Sequence, residues 1–391
     1  MNLLPKKKIA LLGMMSKMPV AGVVWQTVHY LIGFQRLGYD VYYVEAHGTT
    51  PRNFFDTDAD DGWTKAASFI AGVMHRFDLD DHWVYHAIHG TGQCYGMSQN
   101  QLNELYRSAD LIINLHGGTI PLPEHYATGR LIYLETDPVQ IQIQVYDKQQ
   151  HAIDLLAPHR AFFTFGENYG CPECKLPVFD RFPFKPTRQP IVFDFWNPHA
   201  DGVLHPFTTI GNWKQLHRRV TFQGEVFHWS KHFEFLKFID LPARTGQPFE
   251  LAMSSCGESD RQMLEGRGWR VRAAMDFSMD VDAYRDYIAS SRGEFTVAKE
   301  QNVRFRTGWF SDRSATYLAA GRPVITQETG FSNILPTGKG LFSFSTLDEI
   351  VAAVEAIAAD YDTHCRTAST LAREFFNYDV VLKRLVDDVG L

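Results

Sequence analysis

The feature that most constrains this chain is an alternation of short apolar runs with helix-spaced apolar residues. Residues 9–13 form an apolar run. A loop follows over 14–24, holding Pro19 and Gly22, and then Trp25, Val28, Leu31 and Ile32 recur at helical spacing until Gly38. A second apolar run covers 41–45. Strand, loop, helix and strand in this order open a doubly wound parallel sheet. Runs at 111–115 and 131–135 continue it, each ending in polar residues.

The texture changes over 182–206, where Pro183, Pro186, Pro190, Pro198 and Pro206 fall close together. Proline stops helices and sheet ladders, so this stretch reads as a crossing between domains. The α/β rhythm then resumes, with strands expected at 207–210, 249–253, 270–273, 294–298 and 323–327. Helices are expected at 282–290, 313–320, 347–358 and 365–376, the second ended by Gly321. A chain of 391 residues exceeds one ordinary core and suits two α/β domains. The expected division is 1–185, a linker at 186–205, a second domain at 206–375, and a C-terminal helix at 376–391 returning to the first domain. Two Rossmann-like doubly wound domains then face a cleft, with ligands at the carboxyl ends of the strands.

A net charge of −7 argues against a general nucleic-acid binder, which needs a basic surface to displace counterions. It leaves room for a local basic pocket. Five cysteines, an odd number, do not make a disulfide framework. Cys171 and Cys174 are spaced like half a zinc site, but no second pair follows and His159, His199 and His205 lack ligand spacing, so no metal is expected. The basic start up to Lys8 precedes an apolar run too short for a signal peptide or a membrane span, which reads as a cytoplasmic chain.

The richest segment is 295–331. An expected strand ends at Lys299, a loop carries Arg304 and Arg306, and Gly308-Trp309-Phe310-Ser311-Asp312-Arg313-Ser314 opens a helix. Ser311 or Asp312 is a suitable N-cap. Free N–H groups and the positive end of the dipole make that helix start a site for phosphate, with Lys299, Arg304, Arg306 and Arg313 expected to converge on it. The run from Ser314 to Thr326, a helix ending in Ala-Ala-Gly-Arg-Pro-Val before a strand, resembles the donor-domain signature of GT-B glycosyltransferases. The resemblance covers roughly 290–380 and is architectural elsewhere. It implies phosphate roles for Arg313 and Ser314 and sugar-facing roles for Gln327, Glu328 and Thr329. It also implies a cleft-facing glycine loop at Gly211 and Asn212, and a nucleotide base held near Met275 and Asp276. Many retaining members carry two glutamates eight positions apart across this helix start. Here Gly308 and Thr316 stand there, so Asp312 becomes the candidate for the ribose-binding carboxylate, and retaining or inverting outcome stays open.

The same resemblance assigns acceptor binding to the first half. The loop 14–24 would form one wall, and His116, before Gly117 and Gly118, would reach the donor sugar. Asp137, in Glu135-Thr136-Asp137-Pro138, is a candidate general base for an acceptor hydroxyl. Glu45 and His47 are weaker candidates of that kind. Trp196, Trp213 and Trp229 could stack on a ring, although core packing suits most of them. The expected activity is metal-independent glycosyl transfer from a nucleoside-diphosphate sugar, of UDP type, to a hydroxyl or similar acceptor, with no separate cofactor. The alternatives are a sugar-nucleotide epimerase of the same fold, or a glycosyltransferase acting on nucleic acid. A two-lobed binding protein is the non-enzymatic reading, and it would call for an export signal.

Overall fold

The computed structural model describes residues 5–46, 62–196, 205–216 and 218–391; His47, Pro198 and His199 lie outside them. The first sheet contains β1 (Lys8–Leu12), β2 (Asp40–Glu45), β3 (Trp83–His86), β4 (Cys94–Gly96), β5 (Leu111–Leu115), β6 (Leu131–Glu135), β7 (Phe162–Thr164) and β8 (Phe184–Pro186). Their spatial order is β4-β3-β2-β1-β5-β6-β7-β8. All pairings are parallel except β3 with β4. Helices cover both faces of such a sheet, so inner strands need apolar residues on both sides. Every residue of β5 and β6 is buried.

The second sheet contains β9 (Phe207–Asn212), β12 (Phe249–Ser254), β13 (Arg270–Ala273), β14 (Gly293–Thr296), β15 (Val324–Gln327) and β16 (Leu341–Phe344). Its order, β13-β12-β9-β14-β15-β16, is that of a dinucleotide-binding doubly wound sheet. Each sheet reverses its winding once, beside β1 and beside β9, and a crevice opens at each reversal. Phe207, Phe249, Phe295 and Phe344 pack ring on ring inside the second half, with Phe295 and Phe344 centroids 5.5 Å apart.

Three local features differ from expectation. The 14–24 loop is shorter, because the helix Ala21–Arg36 begins where the Ala21 N–H donates to the Ser278 carbonyl of the other half. The loop expected to carry Arg304 and Arg306 is the helix Glu300–Phe305, which is supported by a Glu300–Arg304 pair at 3.0 Å and ended by Arg306 in the left-handed region, φ 54°. Between β9 and β12 stands an unexpected antiparallel hairpin, β10 (Arg219–Phe222) and β11 (Glu225–His228). It turns at Gln223 and Gly224, both with positive φ, as a two-residue hairpin turn requires.

The helix Tyr378–Asp388 lies on Ala21–Arg36 of the first half, close enough that a Cβ on Gly33 would stand 2.6 Å from Leu382. Beside it the two chain crossings are joined by backbone: Ile191 N–H donates to Phe376 at 2.6 Å and Tyr378 N–H to Ile191 at 3.0 Å. Among the described residues no helix is long and apolar enough to cross a membrane.

Candidate active site

The carboxyl ends of the two sheets meet. Asp137, just past β6, is ion-paired through Oδ2 with Lys299, just past β14. The Trp309 indole donates to the Thr136 carbonyl at 3.0 Å. Beneath this junction lies a cavity of about 380 Å³. Its floor comes from the ends of β1, β5 and β6, through Met14, His116, Gly117, Glu135 and Asp137. Its roof comes from the second half, through Arg218 and Trp229 at the base of the hairpin.

Backbone geometry aims His116. After the buried run of β5, His116 and Gly117 both take positive φ, 63° and 58°, and turn the imidazole into the cavity. A Cβ at Gly117 would stand 2.4 Å from the Tyr133 hydroxyl, so only glycine fits there. His116 Nδ1 lies 3.1 Å from Thr136 Oγ1, while Nε2 is buried and has no hydrogen-bond partner among the described residues. Desolvation lowers this histidine to about 4, which leaves it neutral at physiological pH. Asp137 Oδ1 is likewise buried and unpartnered. Burial pushes the Asp137 carboxyl up, and the Lys299 charge opposes that shift. Two orphaned polar atoms on one cavity wall point to a ligand. Glu135, deeper, accepts from Gln142 Nε2 at 2.6 Å and is pushed by burial to about 8, so it holds its proton near neutrality.

The structure brings together His116, Asp137 and Lys299 of the expected site. It does not gather the rest at the start of the helix Asp312–Ala319. That helix start packs against Ala21–Arg36, and the gap between them, lined by Gly22, Trp25, Gln26, Asp312 and Arg313, is about 10 Å³, room for a water at most. The Asp312 carboxylate itself lies against its own N–H and that of Arg313, at the N-terminus the phosphate was expected to fill. Ser311 is buried and makes no side-chain cap, and Ser314 Oγ is buried without a partner among the described residues. Arg313 commits all three guanidinium nitrogens to the chain: to Glu294 at 2.6 Å, the Ile210 carbonyl at 2.5 Å and Thr296 at 3.0 Å. It ties the helix to β9 and β14 instead of facing the cavity.

Arg304 turns outward to Glu225, Glu300 and the Val226 carbonyl, and Arg306 to Glu173 and Glu328. Gln327 is held between the Ala298 N–H and Glu234, and Thr329 donates to the Trp309 carbonyl. Glu328 accepts from the Gly330 N–H. Gly211 extends β9 instead of forming a loop, and Asn212 Oδ1 accepts from Ser254 at 2.6 Å. Met275 and Asp276 form a short 3-10 turn after β13, with Met275 exposed. Glu45 is fully buried and bound by Ser16 and Tyr43, a structural anchor for the loop after β1.

The residue that sequence spacing missed is Lys231. It precedes the helix His232–Leu236, with Nζ 5.9 Å from the Trp309 ring centroid. Among the described residues its ammonium has no hydrogen bond or ion pair. Burial, with the like charges of Arg313 and Lys299, holds its pKa well below the usual lysine range. Such a cation gains most from an arriving anion. Beside it Trp229 carries Lys299 Nζ 3.3 Å and Arg218 4.8 Å from its ring centroid. No motif marks Lys231, because the hairpin separates it in sequence from the Gly211-Asn212 end of β9. Among the described residues no cluster of three or more His, Cys, Asp or Glu side chains could hold a metal ion, and the Cys171–Cys174 turn is on the surface.

No protein-family model matches the sequence, and no curated protein does. Solved structures match it nearly end to end. An alpha-glucosyltransferase in complex with UDP and a 13-mer DNA containing an HMU base is 9% identical over 99% of this chain and 100% of its own, with a TM-score of 0.59. HepE of Anabaena, in complex with UDP and glucose, is 14% identical over 99% and 100%, with a TM-score of 0.56. Sucrose-phosphate synthase from Thermosynechococcus elongatus is 12% identical over 98% and 99%, with a TM-score of 0.54. Two doubly wound sheets with carboxyl ends meeting over one cavity, matched along their whole length by these enzymes, establish that this chain has the GT-B glycosyltransferase fold.

Proposed function

We propose that this chain is a glycosyltransferase that moves a sugar from a nucleoside-diphosphate sugar, of UDP type, to an acceptor hydroxyl. The observation that carries this reading is the cavity junction: the orphaned His116 Nε2 and Asp137 Oδ1 lie on one wall, and the Lys231 amine, without a partner among the described residues, stands 5.9 Å from the Trp309 ring beside it. The UDP bound in two of the matched structures supports UDP as the nucleotide. The working division is a first domain over 1–185, a linker over 186–205, a donor domain over 206–375 and a returning helix over 376–391, in a cytoplasmic protein.

In this reading Lys231 and Lys299 face the donor diphosphate. As the bond from the sugar's anomeric carbon to the diphosphate breaks, negative charge grows on the leaving oxygens. Two preplaced ammonium groups stabilise that charge more than they stabilise the ground state. Asp137 Oδ1 takes the proton of the attacking hydroxyl, while Lys299 on Oδ2 keeps the carboxylate ionised against its burial. Neutral His116 offers Nε2 to a sugar hydroxyl. These cations supply the positive charge a divalent ion would bring, so turnover is expected to persist in EDTA.

Thermal unfolding with UDP, UDP-glucose and other nucleotides tests the donor site, because a ligand bound only by the native state raises the midpoint. UDP is expected to raise it, and Lys231→Met to weaken UDP binding at least about tenfold, the loss of one charge-assisted contact. No shift with any nucleotide or nucleotide sugar would remove this reading.

A further inference from the structure

The cavity belongs almost wholly to the first half, yet the second half reaches into it with Arg218. That guanidinium rests on the Trp229 ring, and among the described residues its side chain meets no carboxylate and no hydrogen-bond acceptor. Of the acids that share the cavity, Asp137 lies near enough to feel the Arg218 charge but makes no hydrogen bond or ion pair with it. Asp137 is ion-paired to Lys299, and Glu135 holds its proton near neutrality because of its burial. Lys17 stands near enough to Arg218 for the two like charges to oppose each other. Facing Arg218 are Gln26, Gln140 and Gln144, whose side-chain amides make no hydrogen bond among the described residues. Met14, Met18, Val23, Ile141 and Leu155 complete an apolar wall.

We infer that the acceptor is a polyhydroxylated molecule carrying one anionic group, a phosphate monoester or a carboxylate, and that Arg218 grips that group. A planar guanidinium matches either anion with two parallel N–H···O bonds, and stacking on Trp229 holds it in position for them. The glutamine amides, each donor and acceptor, suit ring hydroxyls, and the apolar wall suits a sugar's C–H face. Of the two lysines given to the donor diphosphate, Lys231 does not line this cavity and Lys299 shares the Trp229 ring with Arg218, so anion binding with UDP already in place is what separates the two anions. The inference rests on the glycosyltransferase reading for the word acceptor, but the anion subsite stands or falls by itself.

The test is a thermal-shift and calorimetric titration of the full chain, with and without saturating UDP. The probes are inorganic phosphate, glucose 6-phosphate, glucuronate and methyl glucoside, each with wild type, Arg218→Gln and Arg218→Lys. The anionic probes are expected to bind wild type alongside UDP. Arg218→Gln should weaken them at least tenfold, with UDP affinity within twofold and an unchanged unfolding midpoint without ligand. Arg218→Lys should fall between, since it keeps the charge and loses the fork. Phosphate ester against glucuronate decides between the two anions. Absence of any anionic binding to wild type, equal binding to Arg218→Gln, or methyl glucoside binding as tightly as its charged relatives overturns the subsite. If UDP fails to bind, the donor reading fails, and the phosphate arm without UDP still decides the role of Arg218.

Discussion

His29, wedged between Trp25, Phe195 and Trp196, is fully buried, and desolvation alone lowers its imidazole to about 3. In the unfolded chain it titrates near 6.5, so between the two values the unfolded state binds a proton that the folded state refuses. Its contribution is therefore full above about 6.5 and is lost as the pH falls toward about 3. His116, His125 and His159, each at about 4, act in the same direction. Glu135, raised to about 8, acts oppositely as a single group between about 4.5 and 8. Urea unfolding at a series of pH values should show stability falling between pH 6 and 5. His29→Phe should flatten that slope by one proton, about 1.4 kcal/mol per pH unit. At the site, Asp137→Asn should lower transfer by about 10²–10⁴-fold, the range for losing a general base, and leave UDP affinity nearly unchanged. His116, Asp137 and Lys299 were legible as polar residues ending apolar runs. Arg313 was misleading for the opposite reason: a cation at a helix start reads as a phosphate ligand until its three internal acceptors are seen.

At the scale of elements, the loop 166–175 locks the halves together. Gly166 bridges to Trp309, and Asn168 N–H donates to Thr307 at 3.0 Å. The Asn168 amide reaches Glu173 at 2.7 Å and the Gly330 carbonyl at 3.1 Å. Gly330 has φ 97°, and a Cβ there would stand 1.9 Å from Asn168 Nδ2. Gly330→Ala should cost about 1–3 kcal/mol in backbone strain alone, read as a lower urea midpoint with unchanged slope. Asn168→Ser added to Gly330→Ala should restore part of the loss by vacating the space. The inner parallel strands were readable because both their faces are apolar. The hairpin was not sought, although Arg-Val-Thr-Phe and Glu-Val-Phe-His alternate around Gln223-Gly224. Its strands are short and half exposed, and Phe222 and Phe227 are buried against Tyr146 and Phe305, both far along the chain. The helix carrying Arg304 escaped for a similar reason, since six residues give too little periodicity to separate helix from loop.

Across the whole molecule, the last helix completes the first half. Val381, Leu382, Leu385 and Val386 are buried by it. At about 1.5–3 kcal/mol for each buried aliphatic side chain, an upper bound, that contribution rivals the total stability of a typical domain. Deletion from Asn377 onward should therefore leave the chain unfolded or aggregated, seen as loss of cooperative melting and of the full-length chain's peak in gel filtration. The order of synthesis gives this arrangement a cost. The strand that finishes the first sheet emerges roughly 200 residues before its covering helix, some 10–40 s earlier at ribosomal speed. Throughout that interval a greasy trough along Ala21–Arg36 faces solvent uncovered. The first half made alone should therefore be sticky until a peptide spanning Tyr378–Asp388 is supplied in trans.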